Sequence, residues 1–212
     1  MNMPKRKSRP FVRKSKLRDA KAIVIATEGE LTEPIYFEAL ALDERFRNPR
    51  VEITVLPTTE GHSAPDHVIR RLDKIRRNYR FYEGDELWLV IDKDKWDDSK
   101  LSRIAQLVSQ EEKYYLADSN PCFELWLLLH HRSLDCYTEL EMAELKENRK
   151  EKFRSSRRRL DLELMDICGS YNRSNLNTSH YIPHIDVAIL NAENADKNKD
   201  DRWLNQIGSR VY

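Results

Sequence analysis

Apolar and polar residues follow two different periods along the first 120 positions, and the two periods take turns. KAIVIAT (21–27), VEITVLP (51–57) and ELWLVID (86–92) are short, β-branched apolar runs of strand length, and KYYLADS (113–119) is a fourth run of weaker pattern. Between them the spacing becomes helical. Thr32 and Pro34 open the first helix, Ser63 and Pro65 the second, in which Val68, Ile69, Leu72 and Ile75 share a face. Asp97, Asp98 and Ser99 cap a third, with Leu101, Ile104, Ala105 and Val108 on one stripe.

Beyond residue 120 the pattern is helical, and no further strand is expected. Asn120 and Pro121 open PCFELWLLLHH, Thr138 with Glu141 forms a capping box for a long charged helix, and Ile185, Ala188, Ile189 and Ala192 mark a last helix within 182–196. Strands alternating with amphipathic helices predict an α/β fold: a mostly parallel sheet of about four strands flanked by helices, with a helical C-terminal portion. The expected organisation is a basic tail over 1–20, an α/β core over 21–130 and a helical extension over 131–212 packed on that core.

Charge adds an asymmetry that the overall value of +1 conceals. Residues 1–21 carry nine Lys or Arg against one Asp, which leaves the rest of the chain at about −7. A basic arm of this kind suits a polyanion such as nucleic acid, or is simply a solvated tail. KENRKEKFRSSRRR (146–159), with eight basic and two acidic residues, is expected on a helix as a second phosphate-binding surface or a solvated face. Three cysteines without CxxC spacing indicate neither a disulfide framework nor a zinc finger, and no apolar run reaches the roughly 20 residues of a membrane helix. No signal-peptide pattern follows the basic start, so the expectation is a cytoplasmic protein that does not engage membranes.

The candidate chemistry lies where the strands stop. The first run breaks into Glu28, Glu30 and Glu33, the third into Asp92 and Asp94. In an open parallel sheet, ligands gather beyond the carboxyl ends of the strands, so acids some sixty residues apart in sequence can meet there. In an extended DxD both side chains point to one side, and oxygen ligands favour Mg2+ or Mn2+. Glu28 can serve as a further ligand or as general acid or base, and Gly29 permits an abrupt turn behind it. Glu33 is either part of this site or a first-turn carboxylate favoured by the helix dipole, and Glu30 more simply faces water. Glu124, just after the fourth strand, joins the same edge or faces solvent. His130 and His131 follow on that helix, within reach of a phosphate or packed.

EGELTEPIYF (28–37), VIDKDKW (90–96), NPCFELWLLLHH (120–131) and GSYNRSN (169–175) resemble the RloB-like proteins, small bacterial proteins related to Toprim nucleases of the OLD type. The resemblance runs over nearly the whole chain, its Toprim-like part over about 21–130. It implies that Glu28, Asp92 and Asp94 bind divalent metal for phosphodiester chemistry. It also implies that Glu33 matches a second acid, with one extra residue in the turn, and that Glu124 belongs to the site. Arg173 stands where relatives often carry the lysine that offsets transition-state charge. An arginine keeps the charge but offers a planar fork and cannot donate a proton near neutral pH.

Five glycines and the lack of GxxxxGK[ST], GxGxxG and GxSxG exclude the common phosphate-cradling loops, so any ATPase acting with this chain is a separate partner. The leading expectation is a metal-dependent nuclease, alone or as a homo-oligomer, and the family resemblance further implies a role in defence against phage with DNA or RNA, including tRNA, as the target. The alternative is a nucleic-acid-binding or regulatory module with the same fold and no turnover.

Overall fold

The computed structural model describes residues 20–58, 64–93, 96–150 and 157–212. Among them the chain order is β1 (Lys21–Thr27), α1 (Thr32–Leu42), β2 (Val51–Leu56), α2 (Pro65–Asn78), β3 (Glu86–Asp92), α3 (Asp98–Gln110) and β4 (Tyr114–Asn120). These are followed by α4 (Glu124–Leu129), α5 (Glu139–Glu147), α6 (Arg159–Cys168), α7 (Ile185–Ala195) and β5 (Gly208–Ser209), with three short 3-10 turns between them. The sheet order is β2-β1-β3-β4-β5, with the first four strands parallel and β5 antiparallel to β4.

Alternation along β1 and β3 divides the interior in two. Val24, Ala26, Leu87, Leu89 and Ile91 face α2 and α3 through Val68, Leu72, Leu101, Ile104 and Val108. Ile25 and Val90 face the other way, onto α1, α4, α6 and α7. Helices therefore cover both faces of the sheet, as parallel strands require. α4 sits inside the second layer: Leu125, Trp126, Leu127, Leu128 and Leu129 are all buried, which is why its sequence is apolar on every side. Each such leucine contributes about 1.5–3 kcal/mol of burial, enough to hold six residues helical against their short length.

Three expectations need correction. A fifth strand exists: β5 pairs through Ser119 with Ser209 and Asn120 with Gly208, and two residues are too few to leave a periodic signal. The capping box at Thr138 and Glu141 forms, but the helix it starts is nine residues long and stops at Asn148 in the left-handed conformation (φ 44°). The basic run 146–159 consequently does not lie on one helix. Lys150 bridges Arg158 in antiparallel fashion, α6 starts at Arg159, and residues 151–156 lie outside the described residues. The basic tail over 1–19 lies outside them as well. No described helix is long and apolar enough to cross a membrane.

The C-terminal stretch closes the β4 edge by polar contacts. Leu204 N–H donates to Asp118 Oδ2 at 2.6 Å, Asn120 Nδ2 donates to the Leu204 and Gln206 carbonyls, and Arg210 N–H donates to the Asp118 carbonyl at 2.8 Å. These bonds cover a strand edge that would otherwise expose its backbone.

Candidate metal and catalytic site

β1 is central, with β2 on one side and β3 on the other, so the strand order reverses between β1 and β3. The crevice at the carboxyl ends of such a pair is where a parallel α/β sheet binds ligands. Glu28 and Asp92 leave β1 and β3 at that point, and the two ends are tied together. Glu28 N–H donates to the Val90 carbonyl at 2.8 Å, and Asp92 N–H donates to Glu28 Oε2 at 3.2 Å. The indole N–H of Trp96 donates to both Glu28 oxygens, at 3.1 Å each. A donor equidistant from the two oxygens lies on the chelating axis of the carboxylate.

Asp92 is oriented from the next layer, its Oδ1 accepting from Phe123 N–H at 2.9 Å. Glu33 lies in the first turn of α1 and folds back on the turn before it, Oε1 accepting from Gly29 N–H at 3.0 Å. Gly29 leaves room for this carboxylate: a Cβ at that position would lie 1.9 and 2.2 Å from the Glu33 oxygens, so the end of the glutamate could not keep its place. The turn is pinned from below, as Thr58 Oγ1 donates to the Thr27 and Gly29 carbonyls and the Arg71 guanidinium reaches the Thr27 carbonyl. Burial pushes Arg71 down to about 10, with exposed Glu30 acting in the opposite direction.

Glu28, Glu33 and Glu124 are all buried, at 3%, 6% and 4% exposure, so their charges meet little solvent screening. Burial, then the charges of Glu124 and Glu28, push the Glu33 carboxyl up from its ordinary 4.5 to about 7, against the opposing bonds from its own and the Gly29 backbone N–H. Glu124 does not face water. Its Oε1 accepts from Tyr171 OH at 2.9 Å and pairs with Arg173 Nε at 3.1 Å. Arg173 also donates to Asp161 Oδ1 at 2.8 Å, and its carbonyl accepts from Thr32 Oγ1 at 3.2 Å, which joins the 169–175 segment to the start of α1. Burial works against the guanidinium charge, but Glu124 and Asp161 outweigh it and hold Arg173 above its ordinary value.

Five of the residues singled out from sequence thus share one edge: Glu28, Glu33, Asp92, Glu124 and Arg173. Asp94 lies outside the described residues. The donor set is entirely oxygen and in chemical kind fits a hard divalent cation, which would also relieve the repulsion that raises Glu33. In arrangement, no three His, Cys, Asp or Glu among the described residues stand as a metal-holding group.

His130 belongs elsewhere. It is 1% exposed, its Nδ1 lies 2.9 Å from the Trp126 carbonyl and its Nε2 3.0 Å from Tyr36 OH. A carbonyl only accepts, so Nδ1 carries the proton and Nε2 accepts from the tyrosine. Burial lowers this ring to about 4, and it stays neutral. His131 turns toward Cys168, 3.6 Å from Nε2, and toward His184.

Sequence reasoning missed Trp96, Arg71, Asp161 and Tyr171. Two of these had a usable signal: Trp96 ends the VIDKDKW motif and Tyr171 sits two residues before Arg173. Arg71 and Asp161 reach the site from helices whose periodicity speaks only of packing.

A model of the family described as RloB-like protein matches residues 23–212 of this chain. No curated protein and no solved structure matches it.

Proposed function

The chain belongs to the RloB-like family, and on that footing we propose that it is a Mg2+- or Mn2+-dependent nuclease of Toprim-like organisation, cutting DNA or RNA, tRNA included, in defence against phage. The observation that carries the reading is the convergence of Glu28, Glu33, Asp92 and Glu124, from β1, α1, β3 and α4, on the β1/β3 switch point. All four bring oxygen donors to one edge, and the neighbouring charges of Glu124 and Glu28 help push Glu33 toward neutrality, a stress that a divalent cation would relieve. Glu28, Asp92 and Asp94 would hold the ion, which when bound acidifies water and offsets charge on the reacting phosphate.

The remaining roles follow from the chain's own groups. Glu33, titrating near neutrality in a buried seat, can accept the proton of an attacking water or return one to the leaving oxygen. Asp92 is held in one orientation by Phe123 N–H, so it needs no rearrangement at the moment of reaction. Arg173, part exposed and anchored on Glu124 and Asp161, offers a fixed positive charge to a phosphate oxygen at the rim. The Trp96 N–H engages both Glu28 oxygens in the ion-free protein and would have to give way to an ion chelated by that carboxylate.

The test is cleavage of labelled plasmid, single-stranded DNA, total RNA and tRNA with Mn2+ or with EDTA, beside Asp92→Ala. Cutting that requires the ion and disappears in the variant is the expected result. Cutting that survives EDTA, or survives in the variant, contradicts the proposal.

A further inference from the structure

The outward side of α2 bears a strip of basic residues that pair with none of the described residues. Arg70, Lys74 and Arg77 are exposed, and none has a hydrogen bond or ion pair among the described residues. Their spacing of four and three residues puts them on one line along the helix. That line lies opposite Val68 and Leu72, the fully buried residues that dock α2 on the sheet. The other charged groups of this helix have partners. Asp66 pairs with Lys100 at 3.5 Å, Asp73 accepts from Tyr114 OH at 2.7 Å, Arg76 pairs with Glu111, and Arg71 turns inward to the Thr27 carbonyl. Arg80, just past the helix, lies over the Tyr82 ring at 5.4 Å.

A chain whose body is acidic outside its first 21 residues has carboxylates to spare, yet among the described residues none pairs with this strip. The strip is also tied to the candidate site. Arg71, next to Arg70, holds the carbonyl of Thr27, the residue before Glu28, so the middle of α2 is tied to the carboxyl end of β1. At about 1.5 Å rise per residue, Arg70 and Arg77 stand roughly 10 Å apart along the axis. The three side chains stand roughly 6 and 4.5 Å apart along the axis, and their long flexible stems let each reach a separate phosphate of one strand.

We propose that Arg70, Lys74 and Arg77 form a track for the nucleic-acid backbone, carrying a strand along α2 to or from the carboxylate edge. The track reads charge and spacing, not base sequence. It rests on the nuclease reading for the choice of nucleic acid over other polyanions.

The experiment uses the full chain in EDTA, with short fluorescein-labelled single-stranded DNA, single-stranded RNA and duplex DNA, followed by anisotropy across a series of salt concentrations. The variant Arg70→Gln/Lys74→Gln/Arg77→Gln removes the strip. Arg47→Gln/Arg50→Gln/Arg103→Gln removes the same charge from exposed positions elsewhere. On single strands, loss of three phosphate contacts lowers the slope of log affinity against log salt by about 2, and weakens binding about 100-fold near 0.1 M salt. The control variant keeps the wild-type slope to within about 0.5. Equal slopes for wild type and strip variant overturn the proposal, as does absence of wild-type binding to all three probes. So does a strip-dependent loss seen only on anionic phospholipid vesicles. Cleavage with Mn2+ is scored separately. A strip variant that binds normally while the wild type cuts sinks the track alone, whereas strip-dependent binding with no cutting leaves the track standing and sinks the nuclease reading.

Discussion

Glu33→Gln isolates the electrostatic stress at the carboxylate edge. In the folded chain burial, Glu124 and Glu28 raise the Glu33 carboxyl from 4.5 to about 7. The unfolded chain therefore ionises first as pH rises. Below about 4.5 both states are protonated and nothing is lost; between 4.5 and 7 the unfolded state is progressively favoured; above 7 the full penalty is present. Each tenfold change in proton affinity is worth roughly 1.4 kcal/mol, so the penalty amounts to about 3 kcal/mol. Glutamine keeps the shape and an oxygen that accepts from Gly29 N–H, but carries no charge. Urea unfolding in EDTA is expected to give stabilities within about 0.5 kcal/mol of each other at pH 4.5 and a variant more stable than wild type by about 3 kcal/mol at pH 8. Adding Mn2+ at pH 8 is expected to narrow the gap, because an ion near the edge stabilises the charged wild type more. A difference that does not change with pH, or a wild type more stable than the variant at pH 8, refutes the reasoning.

Two further substitutions probe the geometry around that carboxylate. Gly29→Ala places a Cβ on the Glu33 oxygens, at 1.9 and 2.2 Å before adjustment, and the end of the glutamate must move. The variant is expected to fold with a loss of about 1–2 kcal/mol and to lose cleavage, and wild-type cleavage by this variant contradicts the seat assigned to Glu33. Trp96→Phe removes the N–H on the chelating axis of Glu28. The ion-free protein is expected to lose about 1.5–3 kcal/mol, and Mn2+ to bind severalfold more tightly once the competing donor is gone. Weaker Mn2+ binding in this variant assigns the indole to orienting Glu28 for the ion instead.

The sheet was legible because its signal is local. Each β-branched run that stops at a carboxylate is a strand ending at the ligand edge, and Glu28 and Asp92 need only strand order to bring them together. Glu124 is legible only in part: Asn120 and Pro121 put it just past β4, but the pattern leaves open whether it joins the edge or faces solvent. What sequence does not carry is what those acids touch. Tyr171 and Arg173 reach Glu124 across 47 and 49 positions, and Trp96 reaches Glu28 across 68, through packing that no periodicity encodes. The misreading of 146–159 has a related cause. Lys and Arg are good helix formers, and charge runs give no period by which to locate the left-handed stop at Asn148. The strip on α2 escapes notice for the opposite reason, being regular but appearing in sequence as an ordinary solvated face.

The most direct measurement on the central claim is Mn2+ binding by the full chain, by titration calorimetry at pH 7.5 with cleavable substrate absent. Saturable binding is expected, lost or weakened at least tenfold in both Glu28→Gln and Asp92→Asn, while Arg70→Gln/Lys74→Gln/Arg77→Gln binds like wild type. Binding unchanged by either acid substitution, or no binding at all by the wild-type chain, would contradict a divalent-cation site at the β1/β3 edge.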